Sequence, residues 1–298
     1  MSSGTRLREL LREGPVVAPG AYDAIVARVI EEAGFPAVYL SGSGISCARG
    51  KPDVGWLSLS EVAAAVAGVV DAVGVPVIAD ADTGYGAALT VRRTVREFER
   101  AGVAALHLED QSTPKRCAYF AGAELVSATE MVGKLRAAVD ARDDADLVII
   151  ARTDALQFGG LEEAIARGTA YLEVGADALF VNAIHDRETM LRIRDAFPDA
   201  LLVYNLNAVG VQAVENAGEA AALGYRLTIL PGLARLAVLQ TVRELMQTIR
   251  TTGTFAGFSD RMETFREFNE FMGLRELQEL EARYQRDAGA VVSRTPVS

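Results

Sequence analysis

The chain has 298 residues, of which 50% are hydrophobic and 23% charged, which fits a folded globular protein with one large or two smaller domains. Its formal net charge of −10 argues against nucleic acid or an anionic membrane as the main partner. Two cysteines are too few for a disulfide framework, and the N-terminal stretch lacks an apolar signal core. No apolar run reaches the roughly 20 residues that a membrane helix needs, so we expect a soluble, cytoplasmic protein.

Eight short apolar segments, rich in Val, Ile and Leu, alternate with amphipathic segments along the chain. The predicted strands cover residues 15–22, 37–42, 76–82, 105–110, 147–155, 178–183, 201–206 and 226–232. Their lack of strict alternation is typical of strands buried on both faces. Eight strand–helix units in roughly 250 residues predict an α/β fold of the (β/α)8 TIM barrel type. A doubly wound open sheet is the alternative, and the absence of a G-x-G-x-x-G motif after the first strand disfavours it.

The tail after Gly257 shows amphipathic helical patterns with no strand between them. We predict a single domain over residues 1–298, with the barrel at about 12–250 and a C-terminal helical arm at about 258–288. The many Phe, Leu and Met positions of this arm would pack either on another subunit or beneath its own barrel.

Polar residues follow the predicted strands, at the end of the barrel where catalytic groups lie in this fold. Such residues are costly at buried strand ends unless they contact one another or a ligand. They are Ser41, Gly42 and Ser43 after strand 2, Asp80 and Asp82 after strand 3, Glu109 and Asp110 after strand 4, Arg152 and Asp154 after strand 5, Asn182 after strand 6, Asn205 and Asn207 after strand 7, and Pro231 and Gly232 after strand 8.

The residues at the ends of strands 3, 4 and 5 indicate a site for a metal ion and an anionic ligand. Asp80 and Asp82 lie two residues apart and, with Glu109, would repel one another unless a cation lay among them. Hard oxygen ligands suit Mg2+, with Mn2+ as a second choice; the alternative is that one aspartate caps the next helix. Arg152 can bind a carboxylate with two nitrogens, or else form a structural ion pair. His107, within strand 4, is either catalytic or a core histidine.

Five segments together resemble the isocitrate lyase/phosphoenolpyruvate mutase superfamily: "GAYDAIVARVIEEAGFPAVYLSGSG", "PDVG", "DADTGYG", "LEDQSTPKRC" and "IARTDA". The resemblance runs over about residues 5–285 and comes nearest to methylisocitrate lyase and carboxyvinyl-carboxyphosphonate phosphonomutase. It implies a barrel whose last helix is exchanged between the subunits of a dimer or homotetramer. It also implies Mg2+ and a small anionic keto- or hydroxy-acid substrate that reacts through an enolate.

The resemblance also implies roles for individual residues. Ser41, Gly42 and Ser43 would bind a substrate carboxylate, and Asp53 would lie near the reacting centre. Asp80 and Asp82 would hold Mg2+, with Glu109 as a water-mediated ligand. Arg152 would bind the substrate, Asn205 would contact its carboxylate end, and Cys117 would be the acid/base of a lid. Lys115 and Arg116 would favour the Cys117 thiolate. Tyr119 completes the predicted catalytic set, and Asn182 and Asn207 complete the predicted substrate-binding set.

Three departures from the family pattern bear on the reaction. In the lid, Ala118 and Tyr119 replace the Gly-His of the cleaving enzymes and Ala123 replaces a lysine; Asn182 replaces a glutamate, and Gly232 replaces a serine. An amide cannot act as a general base, and cations have been lost. We therefore expect a substrate whose distal part is less charged and more apolar than that of methylisocitrate.

These observations lead to a hypothesis with several alternatives. The favoured function is a Mg2+-dependent lyase that makes or breaks a C–C bond next to the carbonyl of a pyruvate- or oxaloacetate-like acid. A phosphonomutase or C–P bond enzyme and a keto-acid decarboxylase are the alternatives within the superfamily. A member with different chemistry, in which Tyr119 or His185 supplies the proton, and an inactive protein that binds metal and keto acids are the others.

Overall fold

The computed structural model describes residues 1–116, 122–207 and 210–294, the last seven of these as backbone only. The chain forms two compact units, Met1–Val238 and Leu239–Ser298. Among the described residues, no helix combines the length and the apolar character needed to cross a membrane.

The first unit is built on eight parallel strands that close into a barrel in sequence order. The strands are β1 (Val16–Ala21), β2 (Val38–Leu40), β3 (Val77–Asp80), β4 (Ala105–Glu109), β5 (Val148–Thr153), β6 (Ala178–Val181), β7 (Leu201–Asn205) and β8 (Leu227–Leu230). The helices that begin in this unit are α1 (Ser3–Glu13), α2 (Ala24–Glu32), α3 (Gly42–Ala48), α4 (Leu59–Ala72), α5 (Ala88–Arg100), α6 (Ala128–Ala141), α7 (Ala155–Phe158), α8 (Gly160–Glu173), α9 (Arg187–Ala196), α10 (Ala217–Ala222) and α11 (Leu233–Thr252). The prediction of a (β/α)8 barrel with C-terminal helices is thereby confirmed.

The regular structure of the second unit, in its described part, consists of helices. After the end of α11 it contains a 3-10 helix (Ala256–Arg261), α12 (Phe265–Phe271) and α13 (Leu274–Arg294). A Thr264 side chain that accepts from the Glu267 N–H, with Glu267 bonded back to Thr264, starts α12 as a capping box.

All eight strands lie where the apolar segments predicted them. β3, β4 and β6 are buried at every residue, as expected for strands covered on both faces. The register places Asp80 beside His107 and Glu109 beside Arg152 on neighbouring strands. Polar residues at the carboxyl ends of the strands therefore meet at one end of the barrel.

Helix starts follow the local sequence. Asp23, Ser58 and Ser127 each cap a helix with a side-chain oxygen. Helix α5 begins after Ala87 without a side-chain cap, so neither Asp80 nor Asp82 caps it. Helix α3 was not predicted from the sequence, and its N-cap is Ser41, whose side chain accepts from the Gly44 N–H.

Candidate active site

A cavity of about 110 Å³ opens at the carboxyl ends of the strands. In this measure one water molecule needs roughly 10–15 Å³, so the cavity has room for a small acid. The predicted site residues that line it are Ser41, Ser43, Asp53, Asp80, Glu109, Lys115, Arg116, Arg152, Asn182, Asn205 and Asn207. The other lining residues are Tyr39, Phe180, Ile229, Pro231, Gly232, Arg235 and Leu236.

Arg152 is fixed from two sides by carboxylates. Its Nε and Nη2 donate to the two oxygens of Asp154 at 3.1 and 3.2 Å, and its Nη1 lies 2.9 Å from Glu109 Oε2. Its guanidinium also lies 5.3 Å from the centre of the Phe180 ring. Since a guanidinium has five N–H groups, two remain for an anionic ligand, and their direction is set by Asp154.

Asp154 is the centre of a buried network. Its carboxylate accepts hydrogen bonds from Gln111 Nε2 and, at 2.9 Å, from Asn182 Nδ2, in addition to Arg152. Asn182 Oδ1 in turn accepts from Asn205 Nδ2 at 3.3 Å. Asp154 is 0% exposed, and its hydrogen bonds and Arg152 outweigh the effect of burial, so that its pKa lies below its ordinary value.

Lys115 lies between two carboxylates. Its Nζ is 2.7 Å from Asp53 Oδ1 and 2.7 Å from Asp82 Oδ1, and all three residues are buried. Burial raises the pKa of Asp82 to about 6, with Lys115 acting in the opposite direction. The three predicted residues therefore form one ion-paired group at the edge of the cavity.

The turn after β3 brings Asp80 and Asp82 together above Gly42. Asp80 accepts from the Gly42 and Asp82 N–H groups at 3.1 and 2.9 Å. A Cβ atom added at Gly42 would lie 2.9 Å from Asp80 Oδ2 and 3.0 Å from Asp82 Oδ1. Both carboxylates therefore point toward the space beside the Gly42 Cα atom, which the Cβ atom of any other residue would fill. Burial opposes ionisation of Asp80, but His107, Lys115 and Arg152 together hold its pKa well below its ordinary value.

Glu109 has one partnered and one unpartnered oxygen. Oε2 pairs with Arg152, whereas Oε1 is buried without a hydrogen bond among the described residues. Burial raises the pKa of this carboxyl to about 8 in spite of Arg152. A buried acceptor of this kind is costly, and a cation or a donor at Oε1 would remove the cost.

The carboxylates fit a hard divalent cation that takes only a few of its ligands from the protein. Within the described part of the chain, no group of three or more His, Cys, Asp or Glu side chains is arranged as a ready metal site. Asp80 and Asp82 nevertheless converge, and Glu109 Oε1 has no hydrogen-bond partner among the residues that the structure describes. Mg2+ is commonly held by one or two carboxylates, with water and substrate completing its octahedron, so the donor set fits Mg2+ with Asp80 and Asp82 as direct ligands.

His107 has the surroundings of a core histidine. It is 1% exposed, its Nε2 is 2.8 Å from the Tyr39 hydroxyl, and the two rings are stacked. Burial lowers its pKa to about 4, so the imidazole is neutral near pH 7. His107 lies beneath the carboxylates and supports Asp80, 3.5 Å away.

Four polar or charged residues at the site were not in the predicted set: Tyr39, Gln111, Asp154 and Arg235. Asp154 stood among the polar strand ends without an assigned role, and Tyr39 and Gln111 carried no signal of their own. Arg235 comes from the first turn of α11, beyond the strand ends, and its Nη1 donates to Ser43 Oγ at 2.6 Å. Cys117 and Tyr119 lie outside the described residues.

A parallel barrel with acidic and basic residues at the carboxyl ends of its strands defines the class of (β/α)8 barrel enzymes. Comparison with known proteins identifies the family. The family described as phosphoenolpyruvate phosphomutase matches residues 7–250. The chain is 49% identical to 2,3-dimethylmalate lyase of Eubacterium barkeri over 78% of this chain and 80% of that protein. It belongs to the isocitrate lyase/phosphoenolpyruvate mutase superfamily and is an enzyme of that superfamily.

Two solved structures agree with this assignment. The match to a crystal structure of 2,3-dimethylmalate lyase covers 95% of this chain and 96% of that enzyme's chain, at 36% sequence identity and a TM-score of 0.90. The match to phosphonopyruvate hydrolase in complex with oxalate and Mg2+ covers 96% of this chain and 100% of that enzyme's chain, at 33% sequence identity and a TM-score of 0.87. The family expectation drawn from the sequence motifs is therefore confirmed.

Proposed function

We propose that the protein is a Mg2+-dependent carbon–carbon lyase acting on a small 2-hydroxy dicarboxylate of the 2,3-dimethylmalate kind. The observation that carries this proposal is that two of the three guanidinium groups lining the cavity are held by neighbouring side chains, Arg152 by Asp154 and Arg235 by Ser43. Arg152 comes from β5 and Arg235 follows β8, which lie on different sides of the barrel. Two such groups suit the two carboxylates of a short diacid.

The charge around the cavity favours an anion that arrives with a cation. Of the described residues, Lys115, Arg116, Arg152 and Arg235 are the cations of the lining. Five carboxylates contact them or line the cavity: Asp53, Asp80, Asp82, Glu109 and Asp154. A dianionic substrate would add negative charge to this carboxylate-rich lining, which supports the proposal that Mg2+ accompanies it. When bound, Mg2+ would supply positive charge to the oxygens of the keto-acid product.

The residues of the chain support a retro-aldol cleavage. The hydroxyl at C2 loses its proton, its C–O bond becomes the carbonyl of a 2-keto acid, and the C2–C3 electron pair passes to the departing carboxylate fragment. Glu109 suits the proton acceptor, because its Oε1 accepts no hydrogen bond from the described part of the chain and its pKa of about 8 lies near neutrality. The resemblance assigns protonation of the departing carbon to Cys117, with Lys115 and Arg116 favouring its thiolate.

Asn182 and Gly232 support a substrate smaller than a tricarboxylate. Asn182 is committed to Asp154 through its Nδ2 and to Asn205 through its Oδ1. It can orient the substrate with its remaining N–H but cannot serve as a base. Phe180, Ile229 and Leu236 give the wall apolar surface, which suits methyl substituents.

The test is a product assay with purified protein and Mg2+ or Mn2+. We expect 2,3-dimethylmalate to release pyruvate, measured by reduction with NADH and lactate dehydrogenase, at a higher kcat/KM than 2-methylisocitrate. Phosphate release from phosphonopyruvate would establish the C–P alternative, and CO2 release from oxaloacetate the decarboxylase. Mg2+-dependent oxalate binding without turnover of any of these acids would establish the inactive family member.

A further inference from the structure

The segment that follows β4 carries two of the cations of the cavity. We call residues 111–116 the strap. At its base, Gln111 forms an antiparallel bridge with Leu125, and the Ser112 N–H donates to the Glu124 carbonyl at 2.7 Å. At its other end, Lys115 and Arg116 line the cavity. The position of these two side chains therefore depends on how the strap is held between its ends.

The side chain of Gln111 joins the strap to the Arg152 side of the cavity. It is 0% exposed, its Oε1 accepts from the Arg116 N–H at 3.0 Å, and its Nε2 donates to Asp154 Oδ2. Gln111 itself does not line the cavity. The amide offers an acceptor to one partner and a neutral donor to the other, from two separate atoms.

Asp154 passes this constraint on to the substrate-binding groups. Residue 110 holds the Asp154 backbone, whose N–H donates to Asp110 Oδ1 at 3.0 Å, while Gln111 holds its carboxylate. The same carboxylate orients Arg152 and Asn182. Two neighbouring residues of the chain thus fix Asp154 at both its main chain and its side chain.

We propose that Gln111 is a positioning residue that sets Lys115 and Arg116 in register with Arg152 and Asn182. It touches no substrate; it acts through the Arg116 backbone on one side and Asp154 on the other. Its effect on turnover rests on the proposed function, whereas its effect on the strap does not. Both effects distinguish it from a residue that only stabilises the fold.

The experiment compares Gln111→Met and Gln111→Glu with Tyr225→Phe. Gln111→Met removes both hydrogen bonds at nearly constant volume. Gln111→Glu keeps the acceptor for Arg116 but sets a carboxylate against Asp154. Tyr225→Phe deletes one buried hydrogen bond elsewhere, from the Tyr225 hydroxyl to the Met190 carbonyl, and serves as the control for lost stability. The readouts are Tm, the rate of trypsin cleavage after Lys115 or Arg116 by mass spectrometry, and kcat and KM.

The strap readout gives the first decision. We expect Gln111→Met to be cleaved after Lys115 or Arg116 at least tenfold faster than wild type, with Gln111→Glu and Tyr225→Phe close to wild type. Cleavage of Gln111→Met at the Tyr225→Phe rate would overturn the proposal. Equal cleavage of the Met and Glu variants would overturn it too, because the contact with Arg116 would then not be what holds the strap.

The kinetic readout gives the second decision. With the substrate that wild type turns over, we expect KM to rise about tenfold in Gln111→Glu, because Arg152 and Asn182 lose their orientation. In Gln111→Met kcat should fall as well. Unchanged kcat and KM in both variants would overturn the proposal. If wild type turns over none of the acids tested, the proposed function fails, and trypsin cleavage alone decides the role of Gln111.

Discussion

Glu109 shows how a single buried oxygen can report on a metal site. Its pKa is raised to about 8 by burial, whereas an unfolded chain would ionise it near 4.5. Between those values the folded protein holds a proton that the unfolded chain has released. Stability should therefore fall as pH rises through this window. Asp82, with a pKa raised to about 6, acts in the same direction at lower pH. His107, lowered to about 4 from 6.5, acts in the opposite direction below pH 6.5.

Among the described carboxyl and imidazole groups with a shifted pKa, Glu109 is therefore the one that dominates the range from pH 6.5 to 8. In metal-free protein kept in EDTA, we expect the free energy of unfolding to fall by about 2 kcal/mol across this range. Glu109→Gln should remove most of the decline, because an amide does not titrate. Denaturant unfolding at half-unit steps of pH measures this. A slope that is equal in wild type and Glu109→Gln would show that another group titrates, and Mg2+ should flatten only the wild-type slope.

At the same scale, sequence reasoning found residues whose chemistry is evident alone and missed those defined by their partners. Asp80, Asp82, Glu109 and Arg152 stand out as charges at the ends of apolar strands. Asp154 stood beside them in the sequence, but its role depends on Gln111 and Asn182, which come from other strands. No single-residue pattern encodes such a three-way contact. Arg235 was missed because it lies on a helix rather than at a strand end.

At the scale of elements, the strands were predictable because burial on both faces leaves a continuous apolar run. Helices α2, α4, α5, α6 and α8 were predictable from the helical period of the amphipathic segments between the strands. Helix α3 was not, because its seven residues GSGISCA contain two serines and two glycines, all weak helix formers. It forms because Ser41 caps it and Ile45 packs into the core.

The turn between β3 and α5 has a strained backbone. In the sequence, only the glycines of this turn indicate that strain. Asp82 and Tyr85 have φ angles of 48° and 59°, and Gly84 has a φ of 82°. Non-glycine residues in this region cost roughly 1–2 kcal/mol each. The buried Lys134 Nζ donates to the Thr83 carbonyl at 3.3 Å and helps to hold the turn. This strained conformation directs the Asp82 carboxylate toward the space beside the Gly42 Cα atom.

A pair of glycine substitutions tests this turn. In Gly84→Ala the new Cβ would lie 2.5 Å from Val91 Cγ2 at an unfavourable φ, so we expect a loss of roughly 2–4 kcal/mol in the free energy of unfolding. The matched change Gly68→Ala lies within α4 with nothing inside 4 Å. It should stabilise the protein by about 0.5–1 kcal/mol. Urea unfolding measures both, and a loss below about 0.5 kcal/mol in Gly84→Ala would refute the argument from strain.

At the scale of the whole molecule, the second unit exposes several large apolar side chains. Phe265, Phe268 and Leu277 are 85%, 43% and 61% exposed. Helix α13 spans 21 residues, and its described side chains are mostly exposed. Contiguous exposed apolar patches commonly mark association surfaces. This agrees with the subunit exchange that the family resemblance implies, and we propose that residues 239–298 mediate self-association.

The mass in solution tests this proposal. We expect the full chain to elute at two or four times its 31.8 kDa in size-exclusion chromatography with light scattering. The double variant Phe265→Glu, Leu277→Glu should shift the mass toward 31.8 kDa, because charges at the centre of an apolar interface would be buried without partners. Leu89→Glu is the matched control, since Leu89 is 83% exposed on α5 of the first unit. A wild-type monomer, or an equal shift in the control, would show that the apolar face of the second unit has another purpose.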